Sequence, residues 1–231
     1  GTISISAFSM AYSCASSVLK TISPSAVSMY ECGEREPTFD LLSELSEELS
    51  LDSDEWLYLV NYYGQLSAEQ IRECAKKHPN IIVDNAQAYF DDPLEGGDTL
   101  YTCRKFFGVS DGAFLYADTF LRRDLPQDES FERIHYILGR YERTASEFYA
   151  EASANNRFFE TEPIKHMSKL TGNLLHAIDY ASVKHKRTEN YAFFADKLGA
   201  INRLKLRSVE GAFAYPLWLG NGAEVRKRLI E

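Results

Sequence analysis

The sequence predicts an α/β fold in which a mostly parallel sheet carries helices on both faces, and three observations support this. In the first half, short apolar segments of strand type alternate with helical patterns. The segment 56–62 is almost wholly apolar, as expected of a strand that is buried on both faces. In the second half, apolar residues recur at helical spacing over long stretches.

The first half is expected to contain six strands and three helices. The strands are predicted at 3–8, 26–30, 56–62, 80–84, 99–103 and 113–118, and the helices at 12–22, 38–49 and 68–77. Pro37 marks the start of the second helix. Ser67 precedes the third helix and Gln70 follows three residues later, which is the spacing of a capping box. The start of this helix is therefore the best defined.

The second half is predicted to be mainly helical. Helices are expected at 128–154 and 165–198, with a separating segment at 155–163. Short segments of strand type follow Gly199, at 204–206 and 212–219. The chain is therefore divided into a large-domain core at 1–125, a helical connector at 126–200, and a partial small α/β domain at 201–231.

Composition limits the classes of partner. The chain has 231 residues, of which 45% are hydrophobic and 26% charged, and its net charge is −9. A negative chain without a block of basic residues argues against nucleic acid and anionic membranes as main partners. No apolar run approaches the ~20 residues of a membrane span, and the four cysteines form no CxxC pair. We therefore expect a cytoplasmic protein without a metal site or a disulfide framework.

Polar residues follow three of the predicted strands, where ligands bind in open parallel sheets. Asn61, Asp84 and Thr102 lie at these strand ends, and Lys105 comes three residues after Thr102. A lone Asp in such a place usually caps a turn, and a lone Lys usually lies on the surface. A lysine and an acid on separate strand ends of one sheet are, however, the pair that pyridoxal phosphate (PLP) requires. The amine forms a Schiff base, and the acid keeps the pyridine nitrogen protonated.

The segments around this pair resemble those of a known family. The chain is similar to the DegT-type nucleotide-sugar aminotransferases, which are fold-type I PLP-dependent enzymes of the aspartate-aminotransferase superfold. The resemblance is strongest for VDNAQA at 83–88, GD at 97–98 and YTCRKFFGVSDG at 101–112, and extends more weakly to 12–17, 60–65 and 169–191. Compared with this family, parts of both ends are expected to be missing.

The resemblance implies a role for each of five residues. Lys105 would form the Schiff base with PLP and then move a proton between substrate and cofactor. Asp84 would pair with the pyridinium nitrogen, and Gln87 would hydrogen-bond the ring hydroxyl. Thr102 would donate to the phosphate. Cys14 stands where a side chain packs on the cofactor ring.

The implied activity is transfer of an amino group from an amino-acid donor to a keto-sugar linked to a nucleotide. Two other hypotheses stay open: a truncated or non-catalytic homologue that keeps the fold and the dimer surface, and an unrelated α/β binding module in which Lys105 is incidental.

A homodimer with the cofactor cleft at the subunit boundary is also expected. The resemblance implies it, and three aromatic pairs follow strand ends, where a single domain would leave some of them exposed: Tyr62-Tyr63, Tyr89-Phe90 and Phe106-Phe107. The alternative is that these rings pack under loops of their own domain. The basic run at 184–187 is interpreted as a solvent-facing helix surface.

Overall fold

The computed structural model describes residues 2–5, 19–21, 55–118 and 124–230. Its central feature is a six-stranded sheet with the strand order β1-β6-β5-β4-β3-β2. The strands are β1 Thr2–Ile5, β2 Leu19–Thr21, β3 Trp56–Val60, β4 Ile81–Asp84, β5 Asp98–Thr102 and β6 Ala113–Tyr116.

The sheet is mostly parallel, as predicted. Strands β2, β3, β4 and β5 pair in parallel, whereas β6 is antiparallel to both of its neighbours, β5 and β1. Val60 pairs with Asp84, and Asp84 pairs with Leu100. The carboxyl ends of β3, β4 and β5 therefore meet along one edge of the sheet.

Six α-helices lie in the described part of the chain: α1 Ala68–Lys77, α2 His135–Gly139, α3 Tyr149–Thr161, α4 Lys169–His176, α5 Tyr180–Leu198 and α6 Gly222–Ile230. Helix α1 has the predicted bounds. The amide of Gln70 donates to Ser67 Oγ at 3.2 Å, and the amide of Ser67 donates to Gln70 Oε1 at 2.9 Å. The predicted capping box is therefore confirmed.

One face of the sheet is covered by α1. Its buried residues Ile71 and Cys74 pack against the β3 and β4 side chains Leu57, Leu59, Ile81 and Val83. Because side chains alternate along a strand, Tyr58 and Asp84 lie on the opposite face. The predicted covering of both faces stays a prediction.

A second cluster corrects the expectation about aromatic residues. Phe106 and Phe107 are only 6% and 8% exposed, and they pack with Tyr89, Phe90 and other apolar side chains of the same chain. These two aromatic pairs therefore fill the domain's own core beneath its loops. The expectation that these two pairs are exposed and form a subunit interface is therefore wrong.

The predicted long helix at 128–154 is also wrong. Helix α2 ends at Gly139, and the chain turns before α3, which continues through the predicted separator to Thr161. The ring of Phe148 packs so closely on Gly139 that a Cβ atom there would clash with it. Because the chain turns back so that Phe148 packs on Gly139, the helix does not continue through this region.

The other differences have local causes. The predicted helix at 165–198 is divided into α4 and α5, because Asp179 caps a new helix by accepting a hydrogen bond from the amide of Ser182. No strand forms at 204–206 or 212–219. Backbone amides of this region are bound by distant side chains instead, since Arg207 N donates to Gln65 Oε1 and Gly211 N to Thr188 Oγ1.

At the N-terminal end, 19–21 is a strand although a helix was predicted over 12–22. Cys14, the strand predicted at 26–30 and the helix predicted at 38–49 lie outside the described residues. The predicted domain boundaries stay predictions. Within the residues that the structure describes, no helix is both long and apolar enough to cross a membrane.

Candidate active site

Asp84 is the acidic group of the candidate site. It ends β4 and is 4% exposed. The hydroxyl of Tyr58, on the neighbouring strand β3, donates to its Oδ2 at 2.9 Å, and the amide of Ala86 donates to its Oδ1 at 2.8 Å. A carboxylate oxygen can accept more than one hydrogen bond, so Asp84 is held in place and keeps acceptor capacity.

Thr102 lies on the same face of the sheet as Asp84. Asp84 pairs with Leu100, and Thr102 comes two residues later in β5, where the side chain returns to the same face. Thr102 is half-buried. The sheet thus presents the predicted acid and the predicted phosphate ligand from adjacent strands.

Lys105 lies on the turn that follows β5. The amides of Phe106 and Phe107 close this turn by donating to the carbonyl of Cys103 at 3.1 and 2.9 Å. The Lys105 side chain is exposed, and its Nζ lies 5.7 Å from the centroid of the Phe213 ring. The amine is therefore fixed at its base by a tight turn and bordered by an aromatic ring.

The surroundings of Lys105 lower the pKa of its amine. Partial desolvation is the main cause, the charge of Arg104 adds to it, and the carboxylate of Asp84 opposes it. The described residues contain no salt bridge between Asp84 and Lys105. Cys103 is fully buried, and burial raises the pKa of its thiol to about 12, so this neighbour stays protonated near neutral pH.

Gln87 is held against the turn that follows β3. Its Oε1 accepts a hydrogen bond from the amide of Tyr63 at 3.1 Å. Tyr63 has a φ of 56°, a left-handed conformation that is unusual for a tyrosine. Because the carbonyl of Gln87 is engaged, its NH₂ group is the part that suits a ring hydroxyl.

A buried amide network ties the strand ends together. Asn61, which is fully buried, donates from Nδ2 to Asn85 Oδ1 and to Asp91 Oδ2, both at 3.1 Å. Its Oδ1 accepts from the amide of Leu66 at 2.9 Å. Such a network is rigid because each unmet buried polar group would cost about 1–3 kcal/mol. It fixes the β3 and β4 ends relative to each other.

Three residues near the site escaped sequence reasoning. Tyr58 lies within an apolar strand, and its hydroxyl group, which needs a hydrogen-bond partner when buried, could have indicated its contact with Asp84. Phe213 fell in a segment that was taken for a strand. Arg187 was assigned to a solvent-facing run, but it is half-buried and donates to backbone carbonyls, so that interpretation is wrong for this residue.

The residues present fit PLP. Asp84 would supply an acid for a ring nitrogen, and Lys105, whose amine has a lowered pKa, would supply the nucleophile for an aldehyde carbon. Gln87 and Thr102 stand at adjacent strand ends as hydrogen-bonding groups. Cys14, the fifth predicted residue, lies outside the described residues.

Two open pockets, of about 710 and 440 Å³, lie away from this site. The larger is bordered by Asp128, Ser130, Lys165 and Ser168. Its buried acid is already paired, since Arg133 Nη2 lies 2.6 Å from Asp128 Oδ2. The strand-end site is preferred because it combines a buried acid, which forms no salt bridge with any described residue, with an amine of lowered pKa.

Comparison with known proteins shows a similarity of structure but none of sequence. No family model matches the sequence, and no curated protein matches it. Among solved structures, the chain is similar to DesV of S. venezuelae, which was crystallised in complex with a ketimine intermediate. The two share 14% sequence identity with a TM-score of 0.53, over 99% of this chain and 67% of DesV. At this identity the similarity concerns the fold, which agrees with the predicted α/β architecture.

Proposed function

We propose that the protein is a PLP-dependent aminotransferase-like enzyme that transfers an amino group from an amino-acid donor to a nucleotide-linked keto-sugar. One observation carries the proposal: Asp84 ends β4, and Lys105 lies on the turn that follows the adjacent parallel strand β5, where the amine of Lys105 has a lowered pKa. A lowered pKa makes an amine more nucleophilic near neutral pH.

Each residue of the site has a task in this proposal. Lys105 would hold the cofactor through its carbonyl carbon and would move the proton at the reacting carbon of the substrate. Asp84, which is fixed by Tyr58 and Ala86, would keep a proton on the ring nitrogen. When bound, PLP supplies an electron sink for the reaction. Gln87 orients the ring through its hydroxyl.

Thr102 donates to the phosphate in the same proposal, and Cys14 borders the ring. The amino-acid donor and the sugar acceptor rest on the resemblance of 83–88 and 101–112 to sugar aminotransferases. The fold shared with DesV supports the same chemistry, because a ketimine is the imine of an amine with a keto compound.

The test is formation of an imine at Lys105. The full chain is mixed with PLP, the absorbance near the visible edge is recorded, and borohydride is added to fix the imine for peptide mass spectrometry. We expect reduced cofactor on Lys105 and loss of the band in Lys105→Ala. Lys76→Ala is the matched control, because Lys76 is an exposed lysine on α1. Release of 2-oxoglutarate from glutamate then tests the amino-donor half of the reaction.

Reduced cofactor on another lysine, with Lys105 unmodified, would contradict the assignment. A chain that forms the imine at Lys105 but turns over no amino donor would instead support the non-catalytic homologue. Circular dichroism of Lys105→Ala checks that the variant is folded.

A further inference from the structure

Arg187, on α5, connects three segments that are distant in sequence. Its Nη1 donates to the carbonyls of Ala212 and Phe213 at 3.2 and 3.3 Å. Its Nη2 donates to the carbonyls of Phe106 and Lys105 at 3.0 and 3.5 Å. One guanidinium thus joins the Lys105 turn to the segment that carries Phe213.

The position of the guanidinium is itself fixed by packing. Its carbon lies 4.8 Å from the centroid of the Phe106 ring, which is 6% exposed. Desolvation lowers the pKa of Arg187, but the group stays charged near neutral pH because its ordinary pKa is so high. Next to it on α5, Thr188 Oγ1 accepts from the amide of Gly211 at 2.8 Å, which fastens the same distant segment.

These contacts act on Lys105 from two sides. At the base of its side chain, Arg187 binds the backbone carbonyls of Lys105 and of the next residue. At the tip, the ring bordering Nζ belongs to Phe213, whose backbone carbonyl Arg187 also binds. Arg187 therefore holds both the backbone of Lys105 and the residue whose ring borders its amine.

We infer that Arg187 is a positioning residue for Lys105, which holds the turn and the Phe213 ring so that the amine stays next to that ring. A catalytic role for this positioning rests on the proposed function of Lys105. The contacts themselves exist in the chain without cofactor, so they are tested without it.

Two charged residues affect the pKa of the Lys105 amine in the described part of the chain. Arg104 on the same turn and Asp84 at the end of β4 are the charged groups that influence its amine, in opposite directions. Arg187 acts on the amine through position, since its four hydrogen bonds go to backbone carbonyls. Loss of Arg187 should therefore loosen the turn and let the Phe213 ring move away from the amine.

The experiment measures the reactivity of single lysines in the full chain without added PLP. The protein is treated with trinitrobenzenesulfonate over a range of pH, and the modified peptides are quantified by mass spectrometry. The rate at Lys105 is divided by the rate at Lys76, an exposed lysine on α1 that serves as internal reference. The ratio reports the pKa of Lys105.

In Arg187→Ala we expect the ratio to fall by about three- to tenfold at pH 8, because an amine that is no longer held against the Phe213 ring is more fully hydrated and its pKa rises. Arg187→Lys should recover only part of it, because an ammonium lacks the planar fork that reaches two pairs of carbonyls. Phe213→Leu should also lower the ratio. Lys186→Ala is the matched control, since Lys186 is an exposed residue next to Arg187 on α5 and pairs with Glu189.

An unchanged ratio in folded Arg187→Ala would overturn the inference. If Arg187→Ala does not fold, a folded Arg187→Lys with the ratio of the wild-type chain overturns it equally. The outcome is independent of the proposed function. PLP bound at Lys105 with unchanged ratios refutes the inference alone, whereas altered ratios without an imine in the wild-type chain refute the proposed function alone.

Discussion

Asp84 is fixed by its own neighbours. Tyr58 and the amide of Ala86 each occupy one carboxylate oxygen, at 2.9 and 2.8 Å. Both donors restrict the orientation of the carboxylate. A carboxylate that is oriented in advance is what the proposed role at a ring nitrogen requires.

Replacing Asp84 by Asn should reduce turnover far more than cofactor binding. The amide fills nearly the same space but cannot keep the ring nitrogen protonated. We expect kcat to fall by about 100-fold or more, equivalent to about 3 kcal/mol, while the Kd for PLP changes by about threefold or less. Steady-state kinetics and an absorbance titration measure the two quantities.

Asp98→Asn is the control for this experiment, because Asp98 is a half-buried aspartate at the opposite end of β5. Turnover of Asp84→Asn equal to that of Asp98→Asn would show that Asp84 has no role at the ring nitrogen.

The sequence predicted the pair Asp84 and Lys105, but not the residues that contact it. Asp84 and Lys105 were identified because each follows a segment of strand type. The Tyr58 contact depends on the register of β3 against β4, which no local pattern reveals. The Arg187 contacts join residues about 80 positions apart in sequence, and helical spacing alone suggested a surface residue.

The elements differ in how well local signals determine them. Helix α1 was predicted with its bounds, because the capping box and the amphipathic pattern act within a few residues. The interruption at Gly139 depends on Phe148 returning to pack on it, which is a tertiary contact. Strands β4 and β5 were found to within one residue because apolar segments between turn residues define them.

Asp111 joins the turn between β5 and β6 to the start of α4. It is fully buried and accepts hydrogen bonds from the amide of Ser168 at 2.8 Å, from Ser168 Oγ at 2.9 Å, and from Thr171 Oγ1. Ser168 in turn caps α4 by accepting from the amide of Thr171 at 3.1 Å. This carboxylate therefore fixes the helix start relative to the sheet.

Asp111→Ala should lower the free energy of unfolding by about 3 kcal/mol, because it leaves three buried donors without their acceptor. Urea denaturation followed by circular dichroism measures the change. Asp118→Ala, which alters an exposed aspartate just after β6, should change stability by less than about 0.5 kcal/mol. Equal stability of the two variants would show that the link to α4 carries no net energy.

For the whole molecule, alternation of apolar strands with helices predicted the class of sheet correctly. The position of β6, antiparallel between β1 and β5, was not predicted. Strand order in a sheet is determined by pairing between segments more than a hundred residues apart, such as β1 and β6. Local patterns carry no information about such pairing, whereas fold resemblance does.

The expected homodimer now has a different structural argument. Two of the three aromatic pairs that suggested it pack inside the domain. Other large apolar side chains are exposed instead, among them Phe193 at 58%, Phe194 at 45% and Ile201 at 57%. They belong to the last turns of α5 and the turn that follows, so they lie close together. Exposed apolar groups that cluster in this way often mark an interface.

We expect the protein to sediment as a dimer, with twice the 26.3 kDa mass of one chain, since two-fold symmetry is the commonest closed arrangement. Phe193→Ser combined with Phe194→Ser should weaken association by at least about tenfold in Kd, because two buried phenylalanines contribute several kcal/mol to an interface. Tyr141→Ser, at a residue that is 83% exposed outside this cluster, is the control. Sedimentation equilibrium over a range of concentrations measures all three. A 26.3 kDa species that persists at the highest concentration would contradict the dimer, and with it any site completed by a second chain.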